Sequence, residues 1–280
     1  MKINTSVFKH GLLAAAVCAS VISAPAFAHR AWLLPQSTVL AGDEPMVTID
    51  GAISNSIFIA DYHALRSDSL EAHNNQGAQV ELQNLHTGRF RTSFDLTLAE
   101  PGTYRIASAS RGMTARWQNS DGSRGMFPGR GQPHNDAAIS DAVPDDAENV
   151  QIGLMSRRIE TFVTAGAPTQ QTIAPTGEGL EMVFHTHPND LFNGETAQFQ
   201  LMIDGEPASA AEVILIKDGA RYRNQQEETE FTTDSEGRFE VQWTEPGMYW
   251  LEASYQDERA PAPATSRRGS YAVTLEVLPE

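Results

Sequence analysis

Short runs rich in Val, Ile, Thr, Phe and Tyr recur along the chain, broken at fairly regular spacing by Gly, Asn and Asp. Such runs bounded by turn residues read as strands, and nearly the whole chain after residue 28 has this character. The pattern predicts strands at Met46–Ile53, Ala78–Gln83, Phe90–Leu98, Thr103–Ser110 and Thr114–Gln118. It breaks off over Ser120–Val150, a stretch of Gly, Pro, Asp and Asn without apolar periodicity that reads as a long irregular insertion. Order returns at Arg158–Thr164, and residues 166–179 read as a linker. A second block then supplies Glu181–Thr186, Thr196–Ile203, Glu212–Lys217, Thr229–Thr233, Phe239–Trp243, Met248–Tyr255 and Tyr271–Val277.

An internal echo relates the two blocks. The run from Phe94 through Glu100-Pro101-Gly102 to Tyr104 and Ile106 aligns without a gap on Phe239 through Glu245-Pro246-Gly247 to Tyr249 and Leu251. Each copy reads as strand, Pro-Gly turn, strand, with Pro presetting the turn and Gly supplying its positive φ. The tyrosine after each turn matches the tyrosine corner of immunoglobulin-like sandwiches. The fold expected is therefore all-β: two tandem immunoglobulin-like β-sandwiches, residues 29–165 and 180–280. Asp204-Gly205, Asp218-Gly219 and the Thr233–Gly237 turn add hairpin signals to the second.

The first residues have a different pattern. Lys2 and Lys9 precede an apolar run from Gly11 to Ile22, followed by Ser23-Ala24-Pro25 and Ala26-Phe27-Ala28. This is the layout of a secretory signal peptide over residues 1–28, with an A-x-A cleavage site. The run is too short for a retained span and no later stretch is apolar enough, so the mature chain is expected to be soluble and periplasmic. The one cysteine, Cys18, leaves with the leader, and Val17 before it argues against lipoprotein processing. The mature chain thus enters an oxidising compartment with no disulfide to form.

The net charge of −16, which loss of the two leader lysines makes more negative, argues against nucleic acid and anionic membrane as partners. Enzyme signatures are missing: no G-x-S-x-G, no H-E-x-x-H, no phosphate loop and no cysteine nucleophile. What remains is histidine. Cleavage after Ala28 makes His29 the first mature residue, and an α-amino group with an imidazole on one residue is a bidentate chelate for a transition metal. His63 sits at the polar end of Ile57–Leu65, beside Asp61 and Tyr62. His185 and His187, spaced i, i+2, would face one side of a strand and could clamp an ion; a capping or packing role is the other reading. His73, His86 and His134 lie in polar, loop-like surroundings.

Several stretches resemble the DUF4198 family of exported proteins: His29–Pro35, Arg158–Thr164, His187–Leu191 and Gly194-Glu195. Asp204–Pro207, Thr233–Gly237 and Pro246–Tyr249 extend the resemblance over nearly all of the mature chain. Members are often labelled as a periplasmic component of nickel or cobalt uptake, commonly begin their mature chain with histidine, and many carry Phe-x-His-Pro in the first domain. Here His63 takes the place of that histidine, with Ala64 where proline is the rule.

The resemblance implies a three-nitrogen site for a divalent transition metal, nickel or copper: amine and ring of His29, and the ring of His63. His185 or His187 would add a ligand if the domains fold together. The reading is a non-catalytic periplasmic metal-binding protein, an accessory to metal uptake or handling that partners an outer-membrane receptor or inner-membrane transporter. Two alternatives stand beside it, a structural or interaction module of the envelope and a copper oxidase-like enzyme using the same histidine brace.

Overall fold

Alternating strands bury one face each, and here a single long sheet finds a partner for both of its faces. The computed structural model describes residues 29–129, 132 and 134–280; the leader predicted over residues 1–28 lies outside them. The central sheet has ten strands. Its main path runs Thr229–Thr232, Glu212–Lys217, Gly247–Asp257, Ser266–Val277, Glu148–Ala165, Gly102–Gln118, Leu70–His73 and Gln79–Val80. The two blocks meet in the middle of that path, where Gly153–Thr161 pairs in parallel with Ser266–Thr274. All the other main-path pairings are antiparallel.

Two smaller sheets cover opposite faces. The N-terminal cover comprises Arg30–Pro35, Met46–Ser54, Thr92–Thr97 and Gln83–Thr87, with His63–Ala64 added beside Met46–Ser54. The C-terminal cover is built on Leu180–Phe184, Thr196–Ile203 and Arg238–Gln242. Side chains alternate across the central strands. Tyr271, Val273 and Leu275 therefore enter the C-terminal core, while Ala272, Trp250 and Ile216 enter the N-terminal one. The tandem immunoglobulin-like sandwiches expected from the sequence are present, joined through a shared sheet.

The echo is equally visible. Gly102 and Gly247 have φ of 127° and 137°, values open to glycine and not to other residues. After each turn the tyrosine hydroxyl donates to a carbonyl four residues upstream, Tyr104 to Glu100 at 3.0 Å and Tyr249 to Glu245 at 2.8 Å.

Three sequence expectations need correction, and one strand was not expected. Thr103–Ser110 and Thr114–Gln118 are one strand, Gly102–Gln118, hydrogen-bonded to Glu148–Ala165 along most of its length. The insertion is the tip of that hairpin; it contains a strand, Arg124–Phe127, paired back onto Ala115–Gln118, and a short helix, Ile139–Ala142. Residues 166–179 are a stapled crossing more than a free linker. Arg105 donates to the carbonyl of Ala174 at 3.1 Å, Thr172 donates to that of Asn74 at 2.8 Å, and Ile173 is buried. Finally, Arg30–Pro35 is a strand that the search for alternating runs passed over.

Candidate functional site

His29 stands at the head of a strand that is held from both sides. Arg30-Ala-Trp-Leu-Leu-Pro35 carries three consecutive buried residues, so it packs on both faces instead of alternating. Trp32 donates its indole N–H to Ser54 Oγ at 2.7 Å and meets Phe58 edge-on. Across the sandwich boundary, Trp250 donates to the carbonyl of Ala31 at 2.9 Å, and Arg30 lies over the Trp250 ring while pairing with Glu228 and Gln226. The strand is thereby anchored to the second sandwich one residue after His29, which is itself exposed.

His63 reaches the same place by a different route. The chain leaves Met46–Ser54, turns through Phe58 at φ 57°, and returns so that His63 pairs with Ile53. Ala31 pairs with Ile53 from the other side. The loop between is tied by the backbone N–H of Asn55, which donates to Asp61 Oδ1 at 2.9 Å. Asp61 therefore shapes the loop.

Tyr62 joins the two histidines. Its ring stacks on His29 with centroids 3.6 Å apart and 6° between planes, and meets His63 at 4.1 Å and 56°. All three side chains are on the surface, Tyr62 being 39% exposed. The imidazole centroids are thus no more than about 8 Å apart, with the phenol ring against both. Two imidazoles on one ion, with metal–nitrogen bonds of about 2 Å, must turn towards a common point, and Tyr62, lying against both, must move with them. An exposed aromatic rotates freely enough to do so.

Among the described residues no three His, Cys, Asp or Glu side chains converge as a metal site would require. The donors at His29 and His63 are chemically suited to a borderline divalent ion such as nickel or copper, but as side chains they number two. A chelate there depends on a third donor, and the α-amino group of a chain cut before His29 is the nitrogen at hand.

The other nominated pair separates. The strand ends at Phe184, so the i, i+2 rule no longer applies: His185 turns outward to Gln200 Oε1 at 3.2 Å, while His187 is buried, 6% exposed. Both His187 nitrogens are engaged. Nδ1 accepts the backbone N–H of Asn189 at 3.0 Å, which leaves Nε2 to donate to the carbonyl of Thr169 at 3.1 Å. Burial holds this imidazole below the usual histidine pKa. Its neighbours Thr103 and Thr164 lie where the central hairpin meets the crossing, and the backbone N–H of Thr164 donates to the carbonyl of Thr38 at 2.7 Å, beyond the far end of Arg30–Pro35. Six strand residues at roughly 3.3 Å each put that end about 20 Å from His29. His187 is a structural histidine, and neither it nor His185 is brought to the His29 site.

Sequence reasoning passed over a polar cluster that ties the second sandwich together. Arg267, 5% exposed, donates to Asp257 Oδ1 at 2.9 Å, Asp204 Oδ2 at 3.2 Å and Glu206 Oε2 at 2.6 Å. Burial alone would raise the Asp257 carboxyl, but hydrogen bonds from Arg267 and Arg259 hold it at about 2. Asp204-Gly205 read as a turn and no more; nothing in a two-residue motif says which arginine will find it.

Residues 26–257 match the family model DUF4198, a domain of unknown function. No curated protein matches the chain. Among solved structures, the chain is similar to the D0-D1 domain of intimin, at 12% identity and a TM-score of 0.22, covering 87% of this chain and 96% of that one. It is likewise similar to the human OSCAR ligand-binding domain, at 13% identity and a TM-score of 0.20, covering 89% of this chain and 99% of that one.

Proposed function

The chain belongs to the DUF4198 family, a domain of unknown function, so its task has to be read from its own residues, and we propose that it binds a divalent transition metal through His29 and His63 in the periplasm. The observation that carries this reading is the convergence of His29 and His63, distant in sequence, on one exposed tyrosine ring. Cleavage after Ala28 supplies the third nitrogen, and Tyr62 shifts when the ion enters. The strand that starts at Arg30 is pinned at Arg30, Ala31 and Trp32, so the amine would be presented from a fixed base. Such preorganisation lowers the cost of binding.

The site is open to solvent, which suits capture and transfer of nickel or copper better than storage or chemistry. A non-catalytic accessory to metal uptake is the role that fits, with the partner an envelope receptor or transporter. Titration calorimetry with nickel chloride on protein whose first residue is His29 tests this. One alanine added before His29, or His63→Ala, should weaken binding by about tenfold or more, at least ~1.4 kcal/mol. Equal affinity in all three proteins would overturn the assignment.

A further inference from the structure

Beyond the end of the N-terminal cover, the same face of the central sheet continues uncovered onto the long hairpin. Register is unbroken from Ala165 back to Gln151, so the face that holds Tyr104, Ile106, Ile159 and Val163 in the core is the one that displays Arg116, Thr114, Gln151 and Met155 further out. Pairing extends it sideways to Ser266 and Arg268 on one flank and to Met126 and Arg124 on the other. Two adjoining hollows lie there, of about 890 and 760 Å³, sharing Arg116, Met126 and Gln151. Each is within the range of small-ligand sites, and together they form one trough.

Its lining runs against the character of the chain. The protein has 36 acidic residues against 20 basic ones, and most of its arginines are paired, yet Arg116, Arg124 and Arg268 have no carboxylate partner among the described residues. Glu258 is the one acidic side chain along the trough. Between the guanidiniums stand amides, Gln118, Asn149 and Gln151, and the thioether of Met126, 47% exposed. The hairpin here is firm: Trp117 packs so closely over Gly125, both of them lining the first hollow, that a Cβ there would come within 2.0 Å of the indole.

We propose that this trough binds an acidic saccharide, its carboxylates on Arg116 and Arg124 and its hydroxyls on the neighbouring amides. Guanidinium and carboxylate form charge-assisted, often bidentate hydrogen bonds, and carboxamides both donate to and accept from hydroxyls. An extended peptide is the poorer fit. Peptides that add to a sheet use its free backbone groups, and along this face those groups are already spent on pairing between Gly102–Gln118 and its two neighbours. The free edge of Arg124–Phe127 is four residues long and stops at Pro128, which has no N–H to offer. Contacts of a few ångströms outweigh the overall negative charge, which is screened over about 8 Å at physiological ionic strength.

The test is calorimetric titration of the full mature chain with tetragalacturonate, with maltotetraose as the neutral counterpart and hexaglutamate as the acidic peptide. Tetragalacturonate should bind and maltotetraose should not. The double variant Arg116→Gln, Arg124→Gln should bind at least about tenfold more weakly, as should Met126→Glu, which puts a carboxylate in mid-trough. Both changes are at exposed side chains, and an unchanged circular dichroism melt shows that the fold has survived them. No binding of tetragalacturonate, or binding that the variants leave unaltered, would overturn the proposal. Tighter binding of hexaglutamate with the same dependence on arginine would overturn it in favour of a peptide surface.

Discussion

Replacing Arg267 with methionine would test how the second sandwich is held. Methionine keeps most of the side-chain volume and removes the charge, leaving Asp204, Glu206 and Asp257 facing one another. Removing one partner of a fully buried ion pair costs about 3–5 kcal/mol. Here the carboxylates reach water to differing extents, with side chains 19%, 52% and 13% exposed, so part of that cost is recovered by hydration. We expect a loss of about 2–3 kcal/mol at pH 7, read as a lower midpoint in urea with little change in slope.

The pH dependence adds a second, sharper mark. Asp257 is held at about 2 against an ordinary 3.8. A carboxyl depressed by folding contributes stability that is complete above its unfolded value and is lost as pH falls from about 4 towards 2. At 1.36 kcal/mol per unit the difference corresponds to about 2.4 kcal/mol, discounted to about 1–2 for a group that water reaches. Urea titrations at intervals from pH 5 to pH 2 should show that loss in the wild-type protein and most of it missing in Arg267→Met. A variant as stable as wild type at pH 7, or one with the same slope below pH 4, would refute the argument that Arg267 organises these carboxylates.

Other outcomes follow from the same structure. His187 is kept neutral by burial, so the unfolded chain takes up a proton first as pH drops below about 6.5, and stability should decline there by up to ~1.4 kcal/mol per unit; in His187→Gln that decline should disappear, as measured by chemical denaturation between pH 7 and 5. Gly237 has φ 77° and a Cβ would lie 2.3 Å from the carbonyl oxygen of Leu201, so Gly237→Ala should cost at least about 2 kcal/mol in thermal or urea unfolding. Gly125→Ala should displace Trp117, the one tryptophan that is not fully buried, and shift its fluorescence emission while global stability falls by no more than about 1 kcal/mol.

How much of this was legible in the sequence depended on range. The Pro-Gly turns with Tyr104 and Tyr249 could be read because their signal is local: a glycine at positive φ, a tyrosine reaching four residues back. The strands that alternate cleanly, such as Thr196–Ile203 and Glu212–Lys217, were equally plain. Arg30–Pro35 was not, since a strand buried on both faces does not alternate. The shared central sheet could not be read either. It depends on parallel pairing between Gly153–Thr161 and Ser266–Thr274, and parallel partners far apart in the chain leave no turn to announce them.

The site divides the same way. His29 could be nominated from a cleavage motif, and His63 from its place after an apolar run; that Tyr62 would lie against both is tertiary information. The spacing argument for His185 and His187 failed because it assumed a strand that stops at Phe184. Only the register of Arg116, Gln151 and Met126 sets the unpaired arginines of the hairpin tip around one trough.

The most direct test of metal binding at His29 is electron paramagnetic resonance of the copper-loaded protein, prepared both with His29 as the verified first residue and with one alanine in front of it. The account predicts splitting from three nitrogens in the first sample, reduced to two or fewer in the second and in His63→Ala. Identical spectra from all three would contradict it, and would leave His29, Tyr62 and His63 as surface side chains without a metal to hold.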